Sequence, residues 1–198
     1  MQNPRRSKLA FDPTGVFPEK YLRATPPFAP IQLVQELLGM IGDDREFVYL
    51  TDGGHFDNMG LYELVRRRCY EIVICDAEED NGPVFEGIGM AIRKCRIDFG
   101  VEIELDLNKL ATDAETKLSK VHWITGTIKY PETGSAEPGR ILYIKSSITG
   151  REAADVYNYR LQHTPFPQDS TADQWFTESQ FESYRRLGQQ VIDECPYL

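Results

Sequence analysis

Nowhere do the 198 residues approach the ~20 consecutive apolar positions that a membrane-spanning helix needs. The basic opening, Met1-Gln2-Asn3-Pro4-Arg5-Arg6-Ser7-Lys8, leads into no apolar core of signal-peptide length. Positive charge is short as well: 22 Lys and Arg stand against 31 Asp and Glu, a formal net charge of -9. That balance argues against nucleic acid as a partner and against tight electrostatic docking on anionic lipid, because both need clustered cations. The local run Arg66-Arg67-Arg68 is too brief to reverse it. Cysteine is sparse, and Cys69, Cys75, Cys95 and Cys195 form no C-x-x-C pair. They read as reduced thiols rather than a disulfide scaffold or metal site. No internal repeat and no low-complexity tract interrupts the chain. The expectation is a soluble chain of cytoplasmic location without cofactor or metal.

With 41% hydrophobic and 27% charged residues, the composition suits a single domain, 1–198, with a real core. Most of its chemistry lies between Phe47 and Ala77. A short β-rich run, Phe47-Val48-Tyr49-Leu50, ends in Thr51-Asp52-Gly53-Gly54. An amphipathic helix is expected from about Asn58 to Arg68, with Leu61, Leu64 and Val65 inward, Asp57 or Asn58 as cap and the arginines at its negative end. Glu71-Ile72-Val73-Ile74-Cys75 then reads as a second strand ending in Asp76. Strand, turn, helix and strand make a βαβ unit, whose connection suits a parallel, right-handed crossover. Open sheets of this kind place function just past the carboxyl ends of their strands, where Asp52 stands. Gly53 and Gly54 permit positive φ and a sharp turn beside it. The plainer reading is that Asp-Gly-Gly is only a turn, since these are default turn residues.

The run Asp52-Gly53-Gly54-His55-Phe56-Asp57-Asn58-Met59-Gly60-Leu61 resembles the Asp-Gly-Gly/Ala segment of patatin-like phospholipases, nearest a bacterial branch related to the cytosolic phospholipases A. Phe166-Pro167-Gln168-Asp169-Ser170-Thr171-Ala172-Asp173-Gln174-Trp175-Phe176, continuing through Gln180 to Arg185, resembles that branch's C-terminal segment. The similarity covers about Val16 to Gly188. It implies an α/β fold with a mixed, mainly parallel sheet flanked by helices, of the patatin-like three-layer type. It further implies an acyl ester hydrolase using a Ser–Asp dyad, with Asp52 as the base. Gly53, Gly54, His55 and Asn58 would be motif and site-lining residues.

The serine half of that dyad cannot be carried over. Ser7, Ser119, Ser135, Ser146, Ser147, Ser170, Ser179 and Ser183 all lie outside any G-x-S-x-G, and the glycine-rich oxyanion loop is missing. The resemblance therefore implies the C-terminal portion of a catalytic domain, incomplete on the nucleophile side. Its substrate would be a lipid or other acyl ester, and an upstream half or a partner chain would supply the serine. Self-association is a further expectation, as is peripheral membrane attachment through an upstream region. The competing class is a non-catalytic binding or assembly module that keeps the half-fold.

Elsewhere the pattern is structural. Prolines make residues 1 to 30 an extended arm. Ile31, Val34, Leu37, Leu38 and Ile41 have helical spacing suited to core packing, and Phe85, Ile88, Ile92 and Cys95 mark one face of a helix over 84–99. Asp76, Glu78, Glu79 and Asp80 form an acidic loop that invites a divalent cation, against the plainer reading of carboxylates at a helix start. Val101 to Leu105 alternates as a strand. Residues 121–130 and 140–145 form a hairpin around a Pro/Gly loop, with His122 structural. A short helix is expected over 155–161. Thr177 and Gln180 signal a capping box for a last helix to Glu194, with Phe181, Tyr184, Leu187 and Val191 buried.

Overall fold

The computed structural model describes residues 29–40, 53–80, 84–133, 137–170 and 172–197. The chain divides into two compact units, Met1–Thr51 and Asp52–Leu198. The run 47–50, Asp52 and the proline-rich arm up to residue 28 lie outside the described residues.

In the first unit, helix α1 spans Ala29–Leu37. Pro30 sits in its first turn, where a missing N–H breaks no intrahelical bond. Its expected apolar stripe is present but not buried, since Ile31, Val34, Leu37 and Leu38 are each more than half exposed. An amphipathic spacing fixes which side of a helix is apolar without providing a surface to cover it.

The second unit runs α2 (Gly54–Asp57), α3 (Leu61–Arg66), β1 (Glu71–Asp76), α4 (Glu86–Phe99), β2 (Glu102–Glu104), β3 (Trp123–Lys129), β4 (Gly139–Lys145), α5 (Ala154–Gln162) and α6 (Glu178–Glu194). The four strands form one sheet in the order β1-β4-β3-β2. β1 lies parallel to β4, with Ile72 opposite Ile141 and Asp76 opposite Lys145. β4 pairs antiparallel with β3, and β3 with β2. The fold is therefore mixed α/β, but antiparallel pairing outweighs parallel among the described strands. The physical reason is the short connection after β3, which returns the chain as a hairpin.

β4 runs through the middle, and every residue from Ile141 to Lys145 is buried. Alternate side chains feed two cores. Ile141 and Tyr143 join Ile72, Ile74, Ile124 and Ile128 beneath α3 and α4, which contribute Leu61, Val65, Ile88 and Cys95. Leu142 and Ile144 join Val156 and Tyr159 of α5 and Leu187 and Val191 of α6. Burial of each such branched side chain is worth roughly 1.5–3 kcal/mol. The second helical layer stops short of β1, whose Val73 is 47% exposed although Ile72 and Ile74 are buried. Strands β2 and β3 meet so closely at Gly126 that a Cβ there would lie 2.2 Å from the Glu104 carbonyl oxygen.

Helix α6 begins with the expected capping box. The Thr177 hydroxyl accepts the Gln180 N–H at 3.2 Å, and the Gln180 side chain accepts the Thr177 N–H at 3.4 Å. Its buried face corrects the sequence reading, for Gln180, Ser183, Leu187 and Val191 point inward while Phe181 is exposed. With the Gln180 side chain engaged at the cap and Leu187 buried, Phe181 falls beside the apolar stripe rather than within it.

Candidate functional site

The segment that follows Asp52 is a helical step rather than a glycine turn. Gly53 has right-handed helical angles, φ -57° and ψ -28°, and its carbonyl accepts the N–H groups of Phe56 and Asp57 at 3.0 Å each. Gly54 opens the single turn of α2. The left-handed position comes later, at Gly60, φ 72°, where the chain bends from α2 into α3. The helix expected from about Asn58 is therefore broken at Gly60, which is the N-cap of α3, and Asp57, the last residue of α2, braces the corner instead: its carboxylate accepts the Tyr62 N–H at 2.7 Å and the Met59 N–H at 3.2 Å. Arg66 and Arg67 clasp Glu63 one turn on and bring its carboxyl down to about 2. Lys94 of α4 donates to the Phe56 carbonyl and sits 4.0 Å from the Phe56 ring centre, tying α2 to α4.

Asn58 carries the segment to the ends of the strands. Its amide donates to Glu78 at 2.6 Å. Glu78 in turn donates its N–H to Asp76 at 2.8 Å and accepts the Lys145 ammonium through its carbonyl at 3.0 Å. Asp76 and Lys145 end the two parallel strands in register, and their ion pair, at 3.1 Å, is almost wholly buried. The Tyr143 hydroxyl donates to the second Asp76 oxygen. Burial first, then this bond to a carboxylate, pushes the phenol far above its ordinary value of 10.0, so it stays protonated. Gly87 of α4 lies close under the Glu78 side chain, whose Oε2 would be 2.1 Å from a Cβ there and would have to swing aside.

Two clefts open at this end of the sheet, as expected past the carboxyl ends of parallel strands. The first, about 530 Å³, is lined by Asn58, Asp76, Glu78, Glu79 and Asp80 with Lys145. The second, about 710 Å³, lies against Ser146, Ser147, Arg160 and the 164–168 turn. Asp80, Phe85 and Lys145 line both. No family model, curated protein or solved structure matches the chain.

Of the candidate site residues, Asp52 lies outside the described residues, Gly53 and Gly54 shape the approach, and Asn58 reaches the first cleft. His55 is exposed on α2 and lines neither cleft. The acidic loop is engaged with the protein itself. Asp76 is paired with Lys145, and the Asp80 carboxylate accepts the N–H groups of Val84 at 3.3 Å and Phe85 at 3.1 Å. No cluster of three His, Cys, Asp or Glu side chains fit to hold a metal ion occurs among the described residues.

Sequence reasoning missed Lys145 and Tyr143. The available signal was that β1 and β4 each end an apolar run on a charged residue.

His122, just before β3, is structural as expected. It is 1% exposed, with Nδ1 3.2 Å from the Ser147 hydroxyl and Nε2 3.4 Å from that of Thr149. Burial lowers its pKa below 6.5, overcoming the opposing pull of Glu152. The cysteines are unpaired, and burial raises the Cys95 thiol to about 11, which leaves it inert at neutral pH.

Proposed function

We propose that these residues are the C-terminal part of a patatin-like acyl ester hydrolase, of phospholipase or lysophospholipase type, with Asp52 as base. The serine it activates is not among the 198 residues. The observation that carries this reading is the sequence from Asp52 to Asn58, whose described part, from Gly53 on, forms the turn of α2, is braced by Asp57 and sets Asn58 on the cleft at the strand ends. A hydroxyl is a poor nucleophile at neutral pH, so a carboxylate within hydrogen-bond reach must take its proton as it attacks the ester carbonyl. Oxyanion donors would come from a glycine-rich loop on the segment that carries the serine. Among the described residues β1 is an edge strand of the sheet and its Val73 is exposed on one face, which suits the addition of that half to a three-layer sheet of patatin type.

The test is ester hydrolysis by this chain alone and by the same chain joined to an upstream G-x-S-x-G segment. The chain alone should match a protein blank. The joined protein should hydrolyse short acyl esters, and Asp52→Asn should slow it at least ~100-fold, as loss of a general base does. Asp57→Asn should do far less, because asparagine also caps helices. Brisk hydrolysis by the chain alone, or a joined enzyme indifferent to Asp52→Asn, rejects Asp52 as the base.

A second reading, a non-catalytic assembly module, draws on the uncovered apolar stripe of α1. It requires the joined protein to be inactive as well.

A further inference from the structure

The second cleft has properties that ester chemistry at Asp52 does not use. Its volume, about 710 Å³, falls in the roughly 300–1,000 Å³ range of small-molecule sites. Leu110, Ile148, Pro165 and Phe166 give it apolar walls, and Arg160 and Lys117 stand among its lining residues. The Arg160 guanidinium is anchored, whereas Lys117 is exposed and fixed through its backbone. Arg160 is half-buried and donates from Nη1 to the Thr164 carbonyl at 3.1 Å. Lys117 rides on a loop organised by Asp113, whose carboxylate accepts the Thr116 N–H at 2.8 Å and the Glu115 N–H at 3.0 Å. The Lys117 N–H closes the turn onto the Asp113 carbonyl at 3.0 Å.

Backbone conformation adds a separate observation. Three non-glycine residues have positive φ among those described, and two of them, Phe85 at 52° and Lys117 at 59°, line this cleft. Such angles are costly for residues with a Cβ and tend to persist at ligand sites.

The charges define the ligand. Lys145 is already paired with Asp76, and the other charges lining the cleft are the cations Arg160 and Lys117 and one carboxylate, Asp80, which accepts the Val84 and Phe85 N–H groups. One positive charge is left over in a chain whose formal net charge is -9. That suits a monoanion better than a doubly charged phosphate.

We propose that this cleft binds an amphiphilic monocarboxylate, with its carboxylate on Arg160 and Lys117 and its apolar body against Leu110 and Phe166. An acyl ester hydrolase releases this class of ligand, so the choice of ligand rests on that reading, but binding needs no turnover and ester hydrolysis does not report on this site. The probe is sodium octanoate, titrated into the whole chain by calorimetry and by amide chemical shifts, with acetate and inorganic phosphate in parallel. Octanoate should saturate one site, with acetate and phosphate each at least ~10-fold weaker, since neither fills the apolar walls. Arg160→Gln with Lys117→Gln should weaken octanoate ~10-fold or more, in line with loss of charge-assisted hydrogen bonds, and move the urea midpoint by no more than the loss of the one Arg160–Thr164 bond. Should that variant not fold, the wild-type shifts decide: changes centred on Lys117, Ser146 and Phe166 support the site, and changes elsewhere overturn it. Non-saturating octanoate, acetate or phosphate binding as tightly, or a folded double variant of unaltered affinity each overturns it too.

Discussion

Asp76 and Lys145 meet as buried ions beneath the Tyr143 hydroxyl, whereas His122, next along the same end of the sheet, is kept neutral among Ser147, Thr149 and Glu152. The two clusters adjoin, for the Lys145 N–H bonds to the His122 carbonyl at 2.9 Å. Their carboxylates are served differently. Glu152 accepts the Thr149 N–H, the Thr149 hydroxyl at 2.9 Å and the Gly150 N–H at 2.8 Å, all from its own loop. Among the described residues Asp76 receives one nearby backbone N–H, that of Glu78. A buried carboxylate solvated by its loop needs no cation, while one at a strand end takes its counter-charge from the neighbouring strand.

The most severe way to break this contrast is Lys145→Met. It leaves Asp76 buried without its cation and should cost roughly 3–5 kcal/mol in urea unfolding. Adding Asp76→Asn should recover part of that loss. A double-variant loss equal to the sum of the two single losses would show that the groups are not coupled.

Acid probes the neutral cluster. The His122 pKa is lowered on folding, so below its ordinary value of 6.5 the unfolded chain takes up a proton that the folded chain refuses. Stability from this source is thus complete above 6.5, falls as pH drops below it, and levels off beneath the folded pKa. The slope should not exceed ~1.4 kcal/mol per pH unit. Urea midpoints between neutral pH and mild acid should flatten in His122→Asn, and an identical slope in that variant would place the titration elsewhere.

Thr177→Ala, remote from both clusters, sets the scale of an ordinary local loss. It should cost about 1 kcal/mol, and Thr177→Asn almost nothing. If Lys145→Met costs no more than this cap, the buried pair is not the fastening its burial implies.

Local patterns were legible in the sequence where one element carries both halves of the signal. The capping box, the alternation around β2 and the hairpin of β3 and β4 each needed only neighbours in sequence or a short loop. Phe181 misled because helical spacing gives a stripe whose phase is settled by packing, and Leu187 and Val191 settled it one position away. The α1 stripe misled because amphipathicity says nothing of a partner. Within the candidate site, the Asp57 carboxylate was readable as a bond to the start of α3, but the break at Gly60 and the helical angle of Gly53 were not, since glycine suits a helix start as well as a turn. The link from Asn58 through Glu78 to Lys145 joins three distant parts of the chain and has no signature in any of them.

That separation orders the folding of the molecule. Glu71 and Arg140 lie opposite each other in β1 and β4 yet stand 69 positions apart, while β3 and β4 are joined by a short loop. Closing the longer loop demands more chain entropy before any contact repays it, so the β3–β4 hairpin should form before β1 docks. The ion pair of Asp76 and Lys145 that lines the first cleft would then come into being only when β1 docks. Pulse-labelled hydrogen exchange should find the β3 and β4 amides protected ahead of those facing β1, and simultaneous protection would remove the order. On this account the polar centre of the site doubles as the latch of the sheet, closing only when the chain between its two halves has been gathered in.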